Sequence, residues 1–289
     1  MTDSPNTPIQ LIVTDIDGTL LNSAHQLSER GLRALKAAHA RGIRVALATG
    51  KAAAAGKTII EQAGFPMYGI YVQGLLLMNE DGRVFGQQTL HPDIARQVIT
   101  YADERGFSII AYGSDRLYTR SITPMVRDYT VPYHESLPEA VGALQNILWN
   151  TPIHKLSIAG DARAITGLRW QLNTQLNGKA RILQAGVAEM LEVLPPAGGK
   201  GAGLKTLLKE LGIKPEHVLA IGDAENDIDM LQIAGVSVAV GNADDKTKAA
   251  AKHVVASNDE DGFAEAIERF VLPDLALSAA PTPEAQKDG

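Results

Sequence analysis

The stretch Leu11 to Asn22, LIVTDIDGTLLN, constrains this chain more than any other. Ile9 to Val13 is an apolar run of buried-strand character, and it delivers Asp15 and Asp17 onto a tight turn carrying Gly18 and Thr19. Two acids therefore stand at a strand's C-terminal end. In open α/β sheets this is the edge where ligands bind, because loops and helix N-termini with unpaired N–H groups gather there. Their spacing points both side chains the same way, so one carboxylate can attack while the other handles a proton, provided that a cation relieves their repulsion. Asp and Gly are also ordinary turn residues, so the partners further along decide the matter.

The same strand, turn and helix rhythm recurs. Ser28 caps a helix to Arg41, Ile43 to Ala48 is a strand ending in Thr49-Gly50-Lys51, and Ala52 to Ala63 is helical. Tyr68 to Met78 reads as a third strand, and Asn79 to Gly82 as a hairpin turn into Val84-Phe85. From Gly86 to Gly186 helices expected over His91–Arg105, Leu137–Asn146 and Ala162–Leu176 alternate with strands over Phe107–Tyr112, Arg116–Thr119, His154–Ala159 and Arg181–Gln184. Pro195 to Gly199 marks a return to the opening style. Lys200–Leu211, Ala224–Ala234, Ala243–Lys252 and Phe263–Val271 then read as helices between the strands His217–Ile221, Val236–Val240 and Val254-Val255. The expected fold is α/β, a parallel βα core over 1–85 and 187–272 with an αβ insert that has its own core over 86–186. Residues 273–289, rich in Ala, Pro, Ser and Thr, are expected to be a disordered tail.

Composition narrows the function. Of 289 residues, 45% are hydrophobic and 21% charged, with no apolar run near the eighteen or so residues of a membrane span. The polar, proline-bearing start from Met1 to Pro8 lacks a signal-peptide pattern, so a cytoplasmic protein is expected. The absence of cysteine excludes disulfides and thiol chemistry, and a net charge of -6 argues against a nucleic-acid surface. An anionic substrate then needs local cations.

Four places supply polar groups at strand ends: Asp15 and Asp17, Thr49-Gly50, Lys200, and the run GDAENDIDM from Gly222. These are parts for phosphoryl transfer. Asp15 and Asp223 can hold an oxygen-loving cation such as Mg²⁺, Thr49-Gly50 can cradle phosphate oxygens, and Lys200 can neutralise developing charge. Each also has an ordinary reading, Lys200 as a solvated lysine of little structural worth and the acids from Asp223 to Asp229 as a helix start enjoying its dipole. All four in this order make coincidence a poor explanation.

In these motifs the chain resembles the haloacid dehalogenase superfamily, and Val240 to Ala243 with Ser257-Asn258-Asp259 is similar to its Cof-like branch, subclass IIB. The resemblance, over residues 9–271, implies a doubly wound, Rossmann-like parallel-sheet core with a mobile α+β cap inserted between the second and third motifs. It implies Asp15 as nucleophile, Asp17 as general acid/base, and Mg²⁺ held by Asp223, the Asp15 carboxylate and the Asp17 carbonyl, with Asp227 in support. Thr49, Gly50, Lys200 and Asn226 would hold the phosphate of a small metabolite of the sugar phosphate, flavin precursor or pyridoxal phosphate type. Two departures stand out: Lys51 where relatives often have Arg, and Gln73-Gly74 where many have Asn-Gly.

Rival readings fare worse. A P-loop needs four residues between its glycines, whereas five, Lys51 to Ala55, separate Gly50 from Gly56. A silent binding module has no chemical need for both Asp15 and Asp17. A phosphomutase on the same fold stays open. In the insert Tyr112, Tyr118, Tyr133 and His134 are polar or aromatic candidates for reading a leaving group, and none is assigned.

Overall fold

A computed structural model of the chain describes residues 8–114, 116–131, 135–184 and 188–273. The expected tail beyond Pro273, the first seven residues, Tyr133, His134 and the expected boundary at 186/187 lie outside these.

β1 (Leu11–Thr14) runs through the aspartate turn to α1 (Glu29–Ala40), where the Ser28 hydroxyl accepts the Gly31 N–H as a cap. β2 (Arg44–Ala48), α2 (Ala54–Ala63) and β3 (Tyr68–Tyr71) continue the rhythm, and β4 (Leu76–Met78) and β5 (Val84–Gln87) follow antiparallel. The single strand expected over Tyr68 to Met78 is thus two. Val72, Gln73 and Gly74 have φ of 51°, 57° and 77°, and this run of left-handed residues reverses the chain inside an apolar pattern that gives no turn signal.

The insert contributes α3 (Pro92–Asp103), β6 (Ser108–Tyr112), β7 (Leu117–Thr119), α4 (Pro124–Asp128), β8 (Glu139–Ala140), β9 (Lys155–Ala159), α5 (Ala162–Leu176), β10 (Arg181–Gln184) and β11 (Met190–Leu194). The helix expected over Leu137–Asn146 does not form. Pro138 lacks a donor and Gly142 takes φ 71°, leaving β8 and a single 3-10 turn, Leu144–Asn146. Neither α4 nor β11 was legible as an element. β11 pairs with β9 and β10, so the second sheet extends past residue 187.

The last third supplies α6 (Lys200–Leu211), β12 (Val218–Gly222), α7 (Ile228–Ile233), β13 (Val236–Ala239), α8 (Asp245–Ala250), β14 (His253–Val254) and α9 (Gly262–Phe270). The helix expected from Ala224 opens as a 3-10 turn, Glu225–Asp227.

The first sheet has the order β14-β13-β12-β1-β2-β3-β4-β5, parallel from β14 to β3. The chain leaves β1 to one side through β2 and to the other through β12, which makes β1 the switch point of a doubly wound, Rossmann-like sheet. Thr14 is level with both Leu47 and Ile221, so the three strands end together. Alternate residues serve opposite faces: Ile12, Leu47 and Leu219 pack with α1, α2 and α9, while Leu11, Val13 and Val218 pack with α6 and α7. Covered on both faces, these strands read as unbroken apolar runs.

The second sheet, β10-β11-β9-β6-β7-β8, is antiparallel except for β7 with β8. Ile109, Ala111, Leu156, Ile158, Leu191 and Val193 face α3 and α5. The opposite face meets the first domain, where Ile110, Tyr112, Leu117 and Leu194 pack with Ala52, Tyr71, Val72, Leu75 and Leu76. Among the described residues no helix is long and apolar enough to cross a membrane.

Candidate active site

Three strand ends and one helix start converge at the switch point. Asp15 follows β1, Thr49 follows β2, Asp223 follows β12, and Lys200 opens α6. Lys200 is 1% exposed, and its ammonium meets Asp15 Oδ1 at 2.5 Å and Asp227 Oδ1 at 2.6 Å. The ordinary alternative of a solvated lysine therefore fails: a buried cation at a helix N-terminus, unfavourable by the dipole, is held by two carboxylates. Asp227 is fully buried, and its Oδ2 accepts the backbone N–H groups of Asp223 and Ala224 at 3.0 and 3.1 Å. Thr19 Oγ1 donates to Asp223 Oδ1 at 2.6 Å.

The aspartate turn is braced from the far end of the chain. Asn242 Nδ2 donates to the Gly18 carbonyl, Asn258 Nδ2 to that of Leu21, and Asp259 accepts the N–H and hydroxyl of Ser23. Gly18 has φ 78°, and a Cβ there would stand 2.6 Å from Asp223 Oδ2. Only glycine lets the turn approach Asp223 this closely.

Asp15, Asp223 and Asp227 each bring one oxygen to within 4.8 Å of the others. Burial pushes the Asp15 carboxyl well above its ordinary range; Lys200 pulls it down, and Asp227 and Asp223 push it up again. Asp223 is raised to about 6, by burial first and then by Asp227. Burial disfavours the Lys200 charge, yet Asp15 and Asp227 raise its pKa above the ordinary lysine value. Three carboxylates thus gather around one buried ammonium, which contacts two of them. Hard oxygen donors with an excess of negative charge fit a divalent metal ion. Since Asp227 already spends its oxygens on Lys200 and two amides, Asp15 and Asp223 are the better-placed donors.

Asp17 stands apart from this triad. Its Oδ1 meets Lys51 Nζ at 2.6 Å and His25 Nδ1 at 3.3 Å. Asp15, Asp17, Thr49, Gly50 and Asn226 all line one cavity of about 610 Å³ between the two sheets. Its far wall is Tyr112, Lys155 and Glu192 of the second sheet with Glu135 from the loop before β8. The Tyr112 hydroxyl donates to Glu135 at 3.2 Å, and burial raises the pKa of both groups. Tyr118 packs instead with the helix-side cluster. Sequence reasoning missed Thr19, Glu135, Lys155 and Glu192. For the last two a signal existed, a lone charge within the apolar alternation of KLSIA and MLEVL.

The chain is similar to known proteins in sequence and in fold. Residues 12–267 match the haloacid dehalogenase-like hydrolase family. A chloroplastic endoribonuclease YBEY of Arabidopsis thaliana is 36% identical over 90% of this chain, which spans about half of that relative, 46% of its length. An HMP-PP phosphatase of Cronobacter sakazakii is 30% identical, covering 79% of this chain and 83% of the relative. The crystal structure of a haloacid dehalogenase-like hydrolase from Bacteroides thetaiotaomicron superposes with a TM-score of 0.83 at 31% identity, over 90% of this chain and 99% of that one. With its switch-point acids, its buried lysine and a family match over most of its length, the chain belongs to the haloacid dehalogenase-like hydrolases, in their Cof-like branch.

Proposed function

We propose that this chain is a Mg²⁺-dependent phosphatase that hydrolyses small phosphorylated metabolites, of the sugar phosphate, flavin precursor or pyridoxal phosphate type, by carrying the phosphoryl group on Asp15. The observation that carries the reading is Asp15, which lines the cavity and is backed by the buried Lys200, itself held by Asp227. An Asp15 oxygen attacks phosphorus, the bond to the leaving oxygen breaks, and Asp17 gives that oxygen a proton. Asp17 then takes a proton from water, the water oxygen bonds to phosphorus, and the bond to Asp15 breaks to release phosphate. Thr49, Gly50, Lys200 and Asn226 hold the phosphoryl oxygens, and Lys200 gains most as charge develops on them.

Asp15, Asp223 and the Asp17 carbonyl would hold Mg²⁺, which when bound offsets the crowded carboxylates so that a dianion can enter. Asp227 supports the set by fixing Lys200 and the Asp223–Ala224 backbone. A relative named as a phosphatase supports the substrate class. The test is release of inorganic phosphate from a panel of phosphorylated metabolites, with Mg²⁺ and with EDTA. Release that needs the cation is expected, and undiminished release in EDTA would overturn the reading.

A further inference from the structure

Two charged side chains of the second sheet are buried against the first domain. Lys155 is 1% and Glu192 5% exposed, and both stand on the sheet face turned away from α3 and α5. They form an ion pair. The Lys155 ammonium also donates to the Gly50 carbonyl at 2.7 Å and sits 4.1 Å above the Tyr112 ring. The second oxygen of Glu192 accepts Gln73 Nε2–H at 3.0 Å, and Gln73 Oε1 accepts Asn226 Nδ2–H at 3.2 Å. A buried pair on the cap therefore reaches two residues of the proposed phosphate site, Gly50 directly and Asn226 through Gln73.

The two loops it touches behave as one unit. Val72 N–H donates to the Lys51 carbonyl, Gln73 N–H to the Thr49 carbonyl, and Lys51 N–H to Thr49 Oγ1 at 3.1 Å. Val72 and Gln73 hold left-handed backbone, which is strained for residues with a Cβ. Such strain persists where the surroundings over-determine it, and here it aims the Gln73 amide at Glu192. The pair is also costly to bury, and tight partnering on both sides of the cavity is what offsets that.

We propose that Lys155 and Glu192 are positioning residues through which the seated cap completes the phosphate-binding loops. An ammonium on the Gly50 carbonyl polarises the Gly50–Lys51 peptide, strengthening its N–H bond to Thr49 Oγ1. That bond occupies the hydroxyl as an acceptor and leaves its O–H to donate to a phosphoryl oxygen. Glu192, through the Gln73 amide, orients Asn226 in the same way. Because both effects act on the phosphoryl group that every substrate shares, the cap's influence here is independent of the leaving group. Substrate choice is left to other parts of the cavity wall.

The proposal rests on the phosphatase reading and is tested with the full chain in Mg²⁺. Lys155→Met is expected to lower kcat about tenfold, with KM changed less, and by the same factor for a sugar phosphate and for p-nitrophenyl phosphate. Gln73→Glu sets two carboxylates against each other and is expected to lose about tenfold or more, while adding Glu192→Gln restores most of the loss, since an amide and a carboxylate again face across the gap. Hydrogen exchange should rise at residues 49–51 and 72–74 in Lys155→Met, with α3 and α5 still protected. A loss that differs strongly between the two leaving groups, a charge swap without rescue, or exchange that rises throughout the cap would each overturn the proposal. If the wild-type chain hydrolyses no phosphomonoester, the phosphatase reading fails, and the exchange measurement still decides whether the pair holds the loops.

Discussion

The first sheet buries its charges at strand ends and a helix start, whereas the second buries Lys155 and Glu192 within strands. At the ends, backbone N–H groups that no ladder uses are available as partners, as the Asp223 and Ala224 amides are to Asp227. Within a strand the ladder consumes the backbone, so Lys155 and Glu192 pair with each other and take their remaining hydrogen bonds across the domain boundary. Lys155 finds the Gly50 carbonyl and Glu192 finds Gln73. The first arrangement is self-contained, and the second is completed only while the two sheets face each other.

The largest expected effect tests the self-contained cluster. Asp15→Asn should lower phosphate release at least about a thousandfold while the far-UV circular dichroism stays unchanged. Near-normal turnover would place the nucleophile elsewhere and end the contrast between an acting core and a positioning cap.

Lys200→Met comes next. Removing the cation leaves Asp15 and Asp227 buried and facing each other, so both turnover and stability should fall, the latter by about 3–5 kcal/mol in urea unfolding without metal. An unchanged midpoint would restore the reading of Lys200 as a surface lysine.

The pH dependence of the metal-free chain sharpens the same point. Asp223 titrates at about 6 when folded against 3.8 in the ordinary state, and Asp15 moves in the same direction. Between these values the folded chain binds more protons than the unfolded one, so this contribution to stability falls as pH rises from about 4 through 6, by about 1.4 kcal/mol for each pH unit that separates the folded from the unfolded titration. Melting curves at pH 5 and 7 should therefore show Mg²⁺ raising Tm more at pH 7, above the Asp223 titration. A Tm gain from Mg²⁺ that is the same at both values would count against a cation among these acids.

The smallest effect is a control on the cap's outer edge. Arg116 and Glu139 pair at 3.3 Å with more than half of each side chain in water. Glu139→Ala should change stability by no more than about 0.5 kcal/mol and leave kcat alone. A larger change would mean that cap charges act at a distance, without burial.

This contrast also decides what could be read from the sequence. Asp15, Thr49 and the GDAEND run were legible because turn chemistry and strand ends leave local marks. Lys155 and Glu192 were not, since a lone charge in an alternating strand reads as solvent-facing, and alternation cannot say that another domain covers that face. The Tyr68–Met78 strand failed for a related reason: tertiary contacts, not glycine or proline alone, hold Val72 and Gln73 in their turn. Lys200 was placed at its helix start, but its burial depends on Asp227 arriving from another element.

The central place of β1 has a consequence for synthesis. Thr19 and Asp223, joined by a hydrogen bond beside the switch point, are 204 positions apart in sequence. At ~5–20 residues per second a ribosome needs ~10–40 s to cover that distance. During this interval β1 can pair with β2, but its other edge stays open because β12 does not yet exist. The strand that leads into Asp15 is enclosed only once β12 has been made, so a nascent chain stalled before Val218 presents an apolar edge to chaperones or to other chains.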